Sequence, residues 1–259
     1  MTGDERRQQL SEFLAQRGFA DLSLLVAELG VSESTIRRDL SQLEDEGVVR
    51  RTHGGAVCVS DRFSALNYAA RESTEVDQKV AIGKAAAELV HDGETILLDG
   101  GTTTFQVARH LMTRSLQVVT NSLPIANLLG SAANIELILV GGYIYPRTGV
   151  ALGPIAKQTL AGLHFSRMFM GAAGITEEGL FNANVLLVEA QEQMMASADE
   201  IIVVADHTKF GRRNLARLCG LDRINRVISD AQLDGNWRDI VRSAGAGMIL
   251  AATNASKKS

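Results

Sequence analysis

The chain is poor in the residues that would tie it to several common classes. Two cysteines in 259 residues, Cys58 and Cys219, cannot build a disulfide framework. The five histidines are scattered without paired ligand spacing, so no metal and no cofactor are expected. No uninterrupted apolar run approaches membrane length, and Met1 to Gln9 lack the apolar core of a signal peptide. The expected setting is therefore cytoplasmic and reducing. Internal repeats and low-complexity tracts are missing as well. So is a basic excess. The formal net charge is −4, and residues 1–60 hold seven Arg and no Lys against ten Asp plus Glu, a net of 7 − 10 = −3. Any nucleic-acid contact must then come from local placement of arginine, with modest nonspecific affinity.

What is present is ordinary for a globular protein, with 46% hydrophobic and 22% charged residues. The length allows one large domain, or a small one plus a medium one.

The most informative stretch is Val31 to Leu40. Ser32 suits a helix N-cap. Ile36, Leu40 and Leu43 recur at i, i+4 and i+7 and form one apolar stripe. Ser34, Arg38, Ser41 and Gln42 fall on the opposite side, with Thr35 and Arg37 flanking. Upstream, Leu22, Leu25, Val26 and Leu29 predict a shorter amphipathic helix stopped by Gly30. Two helices joined through Gly30-Val31-Ser32 fit a helix-turn-helix, whose second helix enters the major groove. Arginine there can pair with guanine or clamp phosphate, and Ser or Thr can bond to either. Val48 to Arg51, a turn over Thr52 to Gly55 and Ala56 to Val59 predict a two-stranded wing. Arg50, Arg51 and His53 then lie near the phosphate backbone. A small helical bundle with a solvated face is the competing reading, and the ordered cap, stripe, wing and glycine turn favour DNA binding.

Residues 61–78 read as a polar linker, part helical. From Lys79 to Ser259 helix and strand alternate. Strands are expected at Thr95 to Leu98, Leu116 to Thr120, Ile135 to Val140, Met168 to Met170, Ile201 to Val204 and Val227-Ile228. Helices are expected at Val80 to Leu89, Thr103 to Leu111, from Ser122 with Pro124 in the first turn, Pro154 to Ala161 and Leu186 to Ala198. Short apolar strands alternating with helices predict an α/β domain with a parallel sheet. The division is thus 1–60, a small winged helix-turn-helix; 61–78, linker; and 79–259, an α/β domain.

Ligands of such sheets gather at the carboxyl ends of strands. Asp99-Gly100-Gly101-Thr102-Thr103-Thr104 ends one strand and opens a helix, where glycines allow close approach and free N–H groups favour an anion. Its bland reading is a glycine turn before a threonine-capped helix. Asn121-Ser122 and Gly141-Gly142 repeat the pattern at the next two strand ends. After the Ile201 to Val204 strand, Asp206 could accept from a sugar hydroxyl and Lys209 could neutralise a phosphate. As a plain surface pair the two would contribute ~0–1 kcal/mol. Gly171 to Gly174 allow close packing or ligand approach.

The motifs Gly30-Val31-Ser32, Thr35 to Leu40 and His53 to Ala56 resemble the DNA-binding domain of DeoR-type bacterial transcriptional repressors. The likeness continues through Asp99 to Thr104, Thr120 to Leu123, Gly141-Gly142, Gly171 to Ile175 and Asp206 to Gly211, and covers nearly the whole chain. It implies a regulator of sugar or related carbon metabolism that binds double-stranded operator DNA. It also implies a sensor domain similar in fold to ribose-phosphate isomerases and CoA transferases, which binds a phosphorylated sugar or related metabolite. The chain departs from the family near Gln191-Glu192, where many members carry Lys or Arg, and at Leu186-Leu187, which replace more polar residues. No particular sugar follows.

Two other classes compete with a metabolite-responsive repressor. One is an isomerase- or transferase-type enzyme with an appended DNA-binding domain, using Asp99, Glu189 or Asp206 as a base. No catalytic constellation is evident, so no enzyme activity is expected. The other is constitutive DNA binding with a degenerate sensor. A helix-turn-helix reads a short half-site, which points to a homodimer or homotetramer.

Overall fold

The computed structural model describes residues 2–17, 19–46, 48–52, 54–58 and 68–253. Two compact units divide between Ala70 and Arg71.

The first unit opens with α1 (Gly3–Arg17), a helix that composition conceals because it carries few apolar residues. Leu10 and Leu14, one turn apart, are both fully buried. Then follow β1 (Phe19–Asp21), α2 (Leu22–Leu29), α3 (Glu33–Asp45), β2 (Val49–Thr52) and β3 (Gly55–Cys58). The Asp21 carboxylate accepts the Leu24 N–H at 2.8 Å and caps α2, and Gly30 closes that helix at φ +64°. Ser32 Oγ accepts the Thr35 N–H at 3.3 Å and caps α3. Ile36, Leu40 and Leu43 pack with Leu10, Leu14 and Leu25 in one core. The wing is an antiparallel β2–β3 hairpin, extended by β1 on the far side of β3. At Gly55 an added Cβ would lie 2.2 Å from the Ala20 carbonyl oxygen, so only glycine lets these strands pair here.

The chain continues through α4 (Tyr68–Glu72), α5 (Val76–Ala87), β4 (Thr95–Leu98), α6 (Thr102–Leu111) and β5 (Leu116–Thr120). Next come α7 (Leu123–Leu129), β6 (Ile135–Leu139), the hairpin β7 (Tyr143–Tyr145) and β8 (Val150–Leu152), α8 (Pro154–Ala161) and β9 (Phe165–Met170). The last part holds β10 (Gly174–Thr176), β11 (Gly179–Asn182), α9 (Val185–Ala196), β12 (Ala198–Val204), β13 (Ala216–Cys219), β14 (Arg226–Asp230), α10 (Gly235–Ser243) and β15 (Gly247–Ala251). Within the segment read as linker, residues 68–72 and 76–78 are helical, and residues 61–67 lie outside the described part.

Seven parallel strands form the central sheet in the order β6-β5-β4-β9-β12-β14-β15. Ile96 and Leu98 face one core with Ile82, Val107 and Leu111 from α5 and α6. Leu97 faces the other, with Leu160 of α8 and Met194 of α9. Burial on both faces explains why these strands are continuously apolar. The β10, β11 and β13 strands form a separate small antiparallel sheet. Cys219 is a free, buried thiol. No described helix is long and apolar enough to cross a membrane.

Strand order places the candidate site. From β4 the chain steps outward to β5 and β6, and from β9 it steps outward the other way to β12, β14 and β15. The reversal lies between β4 and β9, and crevices at such switch points are where open α/β sheets bind ligands.

Candidate DNA-reading helix and effector site

The polar face of α3 is sorted by its ion pairs. Arg37 donates to Glu33 one turn earlier, Nη2 to Oε1 at 2.7 Å, with both side chains more than half exposed. Arg51 of the wing is tied to Glu44, its N–H at 2.8 Å and its Nε at 3.2 Å from the carboxylate. Arg38 is exposed and forms no ion pair with any described residue. Ser34 is exposed beside it, while Thr35 and Ser41 are half-buried. Arg50 pairs with Val57 across the wing. The Arg50 side chain and His53 lie outside the described part.

One residue behind this face was not singled out from the sequence. Asp39, 3% exposed, accepts from Arg6 of α1, Nε at 2.5 Å and Nη2 at 3.1 Å. Arg7 Nη1 stands 3.8 Å away. A carboxylate on the buried side of a helix requires such a cation, so its position next to Ile36 and Leu40 was the available signal.

In the second unit, Asp99 sits at the end of β4, 3% exposed. Its Oδ1 accepts the Gly100 N–H at 2.7 Å, and its Oδ2 accepts from Gln191 Nε2 of α9 at 2.7 Å. The Gly100 N–H also reaches Asn121 Oδ1 at 3.2 Å, which links the ends of β4 and β5. Burial pushes the Asp99 carboxyl up, opposed by these hydrogen bonds and by the charge of Arg71. Gly100 is required by crowding, since a Cβ would meet Val150 Cγ1 at 2.0 Å.

The turn then opens α6, whose N-cap Gly101 supplies no side-chain cap. Thr104 Oγ1 is spent on the Gly101 carbonyl at 3.0 Å. The hydroxyls of Thr102 and Thr103 form no hydrogen bond with described residues, so they and the first-turn N–H groups are available to an anion. Ser122 is fully buried, and its Oγ accepts the Ile125 N–H at 3.4 Å as the cap of α7. Gly141 and Gly142 lie in the β6–β7 turn, and Gly142, at φ +147°, packs against Leu152 and Ala156. Structural roles therefore occupy Thr104, Ser122 and Gly142.

After β12, Asp206 is fully buried. Its Oδ1 accepts the Thr208 N–H at 3.0 Å and the Thr208 hydroxyl. Its Oδ2 has no hydrogen bond and faces Lys209 Nζ at 3.8 Å. His207 is held by Asp230 of β14, Nδ1 to Oδ1 at 3.0 Å.

Two further cations stand with this group. Lys79 of α5 is 2% exposed, and its ammonium donates to the carbonyls of Arg71 and Thr74. Burial pushes its pKa down, while the charge of Asp206 opposes that and Lys209 and Arg71 add to it. Arg71 thus acts on both Asp99 and Lys79, and Lys79 also lies in the field of Asp206 and Lys209. Arg71 and Lys79 escaped the sequence reading because they lie at the linker boundary, far in sequence from every strand-end motif. A separate groove of about 340 Å³ between α8 and α9 is lined by Gly153, Pro154, Lys157, Leu186, Glu189 and Ala190. It contains none of the strand-end residues.

Comparison with known proteins accounts for both units. Residues 6–62 match the DeoR-like helix-turn-helix domain, and residues 74–231 match the DeoR C terminal sensor domain. The chain belongs to the DeoR family of transcriptional regulators. It is 34% identical to the HTH-type transcriptional regulator YulB of Bacillus subtilis, covering 89% of this chain and 90% of that protein. It is also 34% identical to a protein provisionally named as the aga operon transcriptional repressor of Escherichia coli O157:H7, covering 95% and 93%. The same identity holds against the HTH-type transcriptional regulator GlpR of Haloferax volcanii, over 95% and 96%. Among solved structures, ribose 5-phosphate isomerase A of Methanocaldococcus jannaschii matches with a TM-score of 0.40 and 20% identity, over 53% of this chain and 55% of that one. That likeness is too loose to bear on function. Within the DeoR family, the α/β assignment of the second unit rests on its own parallel sheet.

Proposed function

We propose that this DeoR-family chain is a repressor of sugar or related carbon metabolism, released or tightened on its operator by a phosphorylated metabolite. Residues 1–60 read double-stranded DNA through Ser34, Thr35, Arg37, Arg38 and Ser41 of α3 and through Arg50, Arg51 and His53 of the wing. Residues 79–259 sense the effector through Asp99, Gly101, Thr102, Thr103, Asn121, Gly141, Asp206 and Lys209, while Thr104, Ser122 and Gly142 shape the turns that hold them. The protein acts in the cytoplasm as a homodimer or homotetramer, because one helix-turn-helix covers only a half-site.

One observation carries the sensor half. At the sheet's switch point, the uncapped start of α6, with two unengaged threonine hydroxyls, belongs to the same strand-end region as the Lys79, Asp206 and Lys209 cluster. Open N–H groups and lysine suit a phosphate, and buried carboxylates suit hydroxyls. The relatives' names, a repressor of the aga operon and GlpR, support a metabolic regulon. Catalysis is not favoured, since Asp99 and Asp206 are both engaged by N–H donors within the fold.

The test is fluorescence anisotropy of DNA from upstream of the protein's own gene, at fixed salt, with and without a panel of phosphosugars. Typical allosteric coupling changes affinity about 5- to 150-fold. Specific binding that shifts with one phosphosugar, and a Lys209→Ala variant that binds DNA but ignores the effector, are the expected results. Binding indifferent to the whole panel would overturn the sensor half. Turnover of a phosphosugar would overturn the regulatory reading of the pocket.

A further inference from the structure

Two helices of the second unit begin where acidic residues are favoured and carry none. Pro154 and Ile155 open α8, Val185 and Leu186 open α9, and neither first turn holds an Asp or Glu. All four side chains are exposed. They also stand together. The groove of about 340 Å³ between the two helices is lined by both Pro154 and Leu186. Tyr143 of β7, exposed as well, adjoins it, since a Cβ placed on Gly153 would lie 4.0 Å from the Tyr143 Cβ. Asn182 pairs with Ala216 across β11 and β13, which sets Leu215 beside the chain leading into α9. Leu215 and Ile155, at 77% and 65%, are the most exposed large hydrophobic side chains among the described residues. Single exposed apolar residues are ordinary, whereas a contiguous group marks an interaction surface.

Two charges indicate the occupant. Lys157 of α8 and Glu189 of α9 line the same groove, both are exposed, and neither forms an ion pair with any described residue. A face with one cation, one anion and an apolar border is complementary to itself. A two-fold axis through it sets Lys157 of each copy against Glu189 of the other. A partner carrying charge of one sign would leave one of the two groups unmatched. A small metabolite is a poorer fit, because the groove holds none of the strand-end hydroxyls and amides.

We propose that this face, from Tyr143 across the starts of α8 and α9 to Leu215, is where two copies of the chain associate. The contact is apolar at its centre and is flanked by two Lys157–Glu189 pairs. The inference rests on the homo-oligomer reading above and deepens it by naming the surface. Gln191, also of α9, donates to Asp99 at 2.7 Å, so one helix borders both this face and the candidate effector site.

Sedimentation velocity of the full-length protein, at micromolar concentration and fixed salt, tests this. The unaltered chain is expected to sediment as an assembly of two or more copies. Ile155→Asp/Leu186→Asp is expected to raise the dissociation constant about 100-fold or more, since each copy loses two central apolar contacts, with an unchanged circular dichroism spectrum. Lys157→Glu alone and Glu189→Lys alone each set like charges against one another at both pairs. Each is expected to weaken association by at least about 10-fold. Mixing these two variants is expected to restore it, because a mixed pair again sets opposite charges together at both places. A purely local role for either charge would give no such recovery. Single variants that associate like the unaltered protein, or a mixture no tighter than either variant alone, would overturn the inference and leave the homo-oligomer reading standing. So would an Ile155→Asp/Leu186→Asp protein with its assembly unchanged. An unaltered chain that sediments as a single copy would overturn both and leave the face to a different partner.

Discussion

Arg6 and Asp39, 33 residues apart, join α1 to the buried side of the recognition helix through two hydrogen bonds to one carboxylate. The pair fixes how α3 is seated, and so where its exposed face points. Removing only Arg6 leaves a buried carboxylate with Arg7 as the nearest remaining cation. Removing both charges leaves an apolar contact. Arg6→Leu is therefore expected to lower the melting temperature and weaken operator binding, and Arg6→Leu/Asp39→Leu to recover much of the lost stability. Thermal denaturation of the three proteins checks this, and equal losses in single and double variants would show that the pair contributes no coupling.

Arg38 and Arg37 are adjacent but should not be equivalent. Arg38 has no ion-pair partner among the described residues, whereas Arg37 is held by Glu33. Arg38→Ala should cost operator discrimination about 1–3 kcal/mol, the worth of a base-reading arginine. Arg37→Ala should cost less and act equally on specific and nonspecific DNA. Anisotropy on operator and scrambled duplexes separates the two, and identical losses would refute the assignment.

Lys79 satisfies the carbonyls of Arg71 and Thr74 from a buried position. It also braces the turn at Glu75, the non-glycine residue of the described chain with positive φ, at +48°. Lys79→Met should destabilise the second unit by about 1–3 kcal/mol, as expected when buried acceptors lose their donor. Urea denaturation measures it directly. A loss near zero would mean that the ammonium is dispensable to the fold.

At the end of the sheet opposite the candidate site, Glu94, Arg167, Glu200 and Arg226 alternate in charge across neighbouring strands. Arg167 Nε lies 2.8 Å and Arg226 Nη2 2.9 Å from Glu200. Burial raises the Glu200 carboxyl, but the hydrogen bonds and charges of the two arginines outweigh it and leave its pKa lowered. A depressed carboxyl contributes stability above the ordinary glutamate range and loses it as pH falls through the lower folded value. Glu200→Gln should thus be less stable near neutral pH by roughly 1 kcal/mol, discounted for partial exposure. The difference should vanish in acid. Melting curves of both proteins from neutral pH to about pH 3, below the ordinary glutamate value, would show the gap closing. A constant gap would remove Glu200 from the acid response.

The sequence by itself determined the elements whose signals are local. The Ser32 cap, the Ile36, Leu40 and Leu43 stripe and the apolar strands from Thr95 to Val204 depend on spacings of a few residues, and period alone exposes them. The strand-end motifs at Asp99, Asn121 and Asp206 were legible for the same reason, because a parallel sheet sends its strand ends to one edge. Strands of three residues, such as β1, β7 and β10, carry too little periodicity to stand out, and β1 pairs with a distant segment, β3. α1 was hidden because its buried face amounts to little more than Leu10 and Leu14.

Only tertiary structure decided which polar groups are available. It spends Ser122 and Thr104 on helix starts, binds Arg37 and Arg51 to carboxylates, and seats Asp39 on Arg6. It also brings Lys79 and Arg71 from the linker boundary into the field of Asp206 and Asp99, and sets Gln191 against Asp99 across 92 residues. A side chain's chemistry is written in the sequence. Its partner is set by long-range packing, where the cost of burying an unpaired polar group selects one arrangement among many.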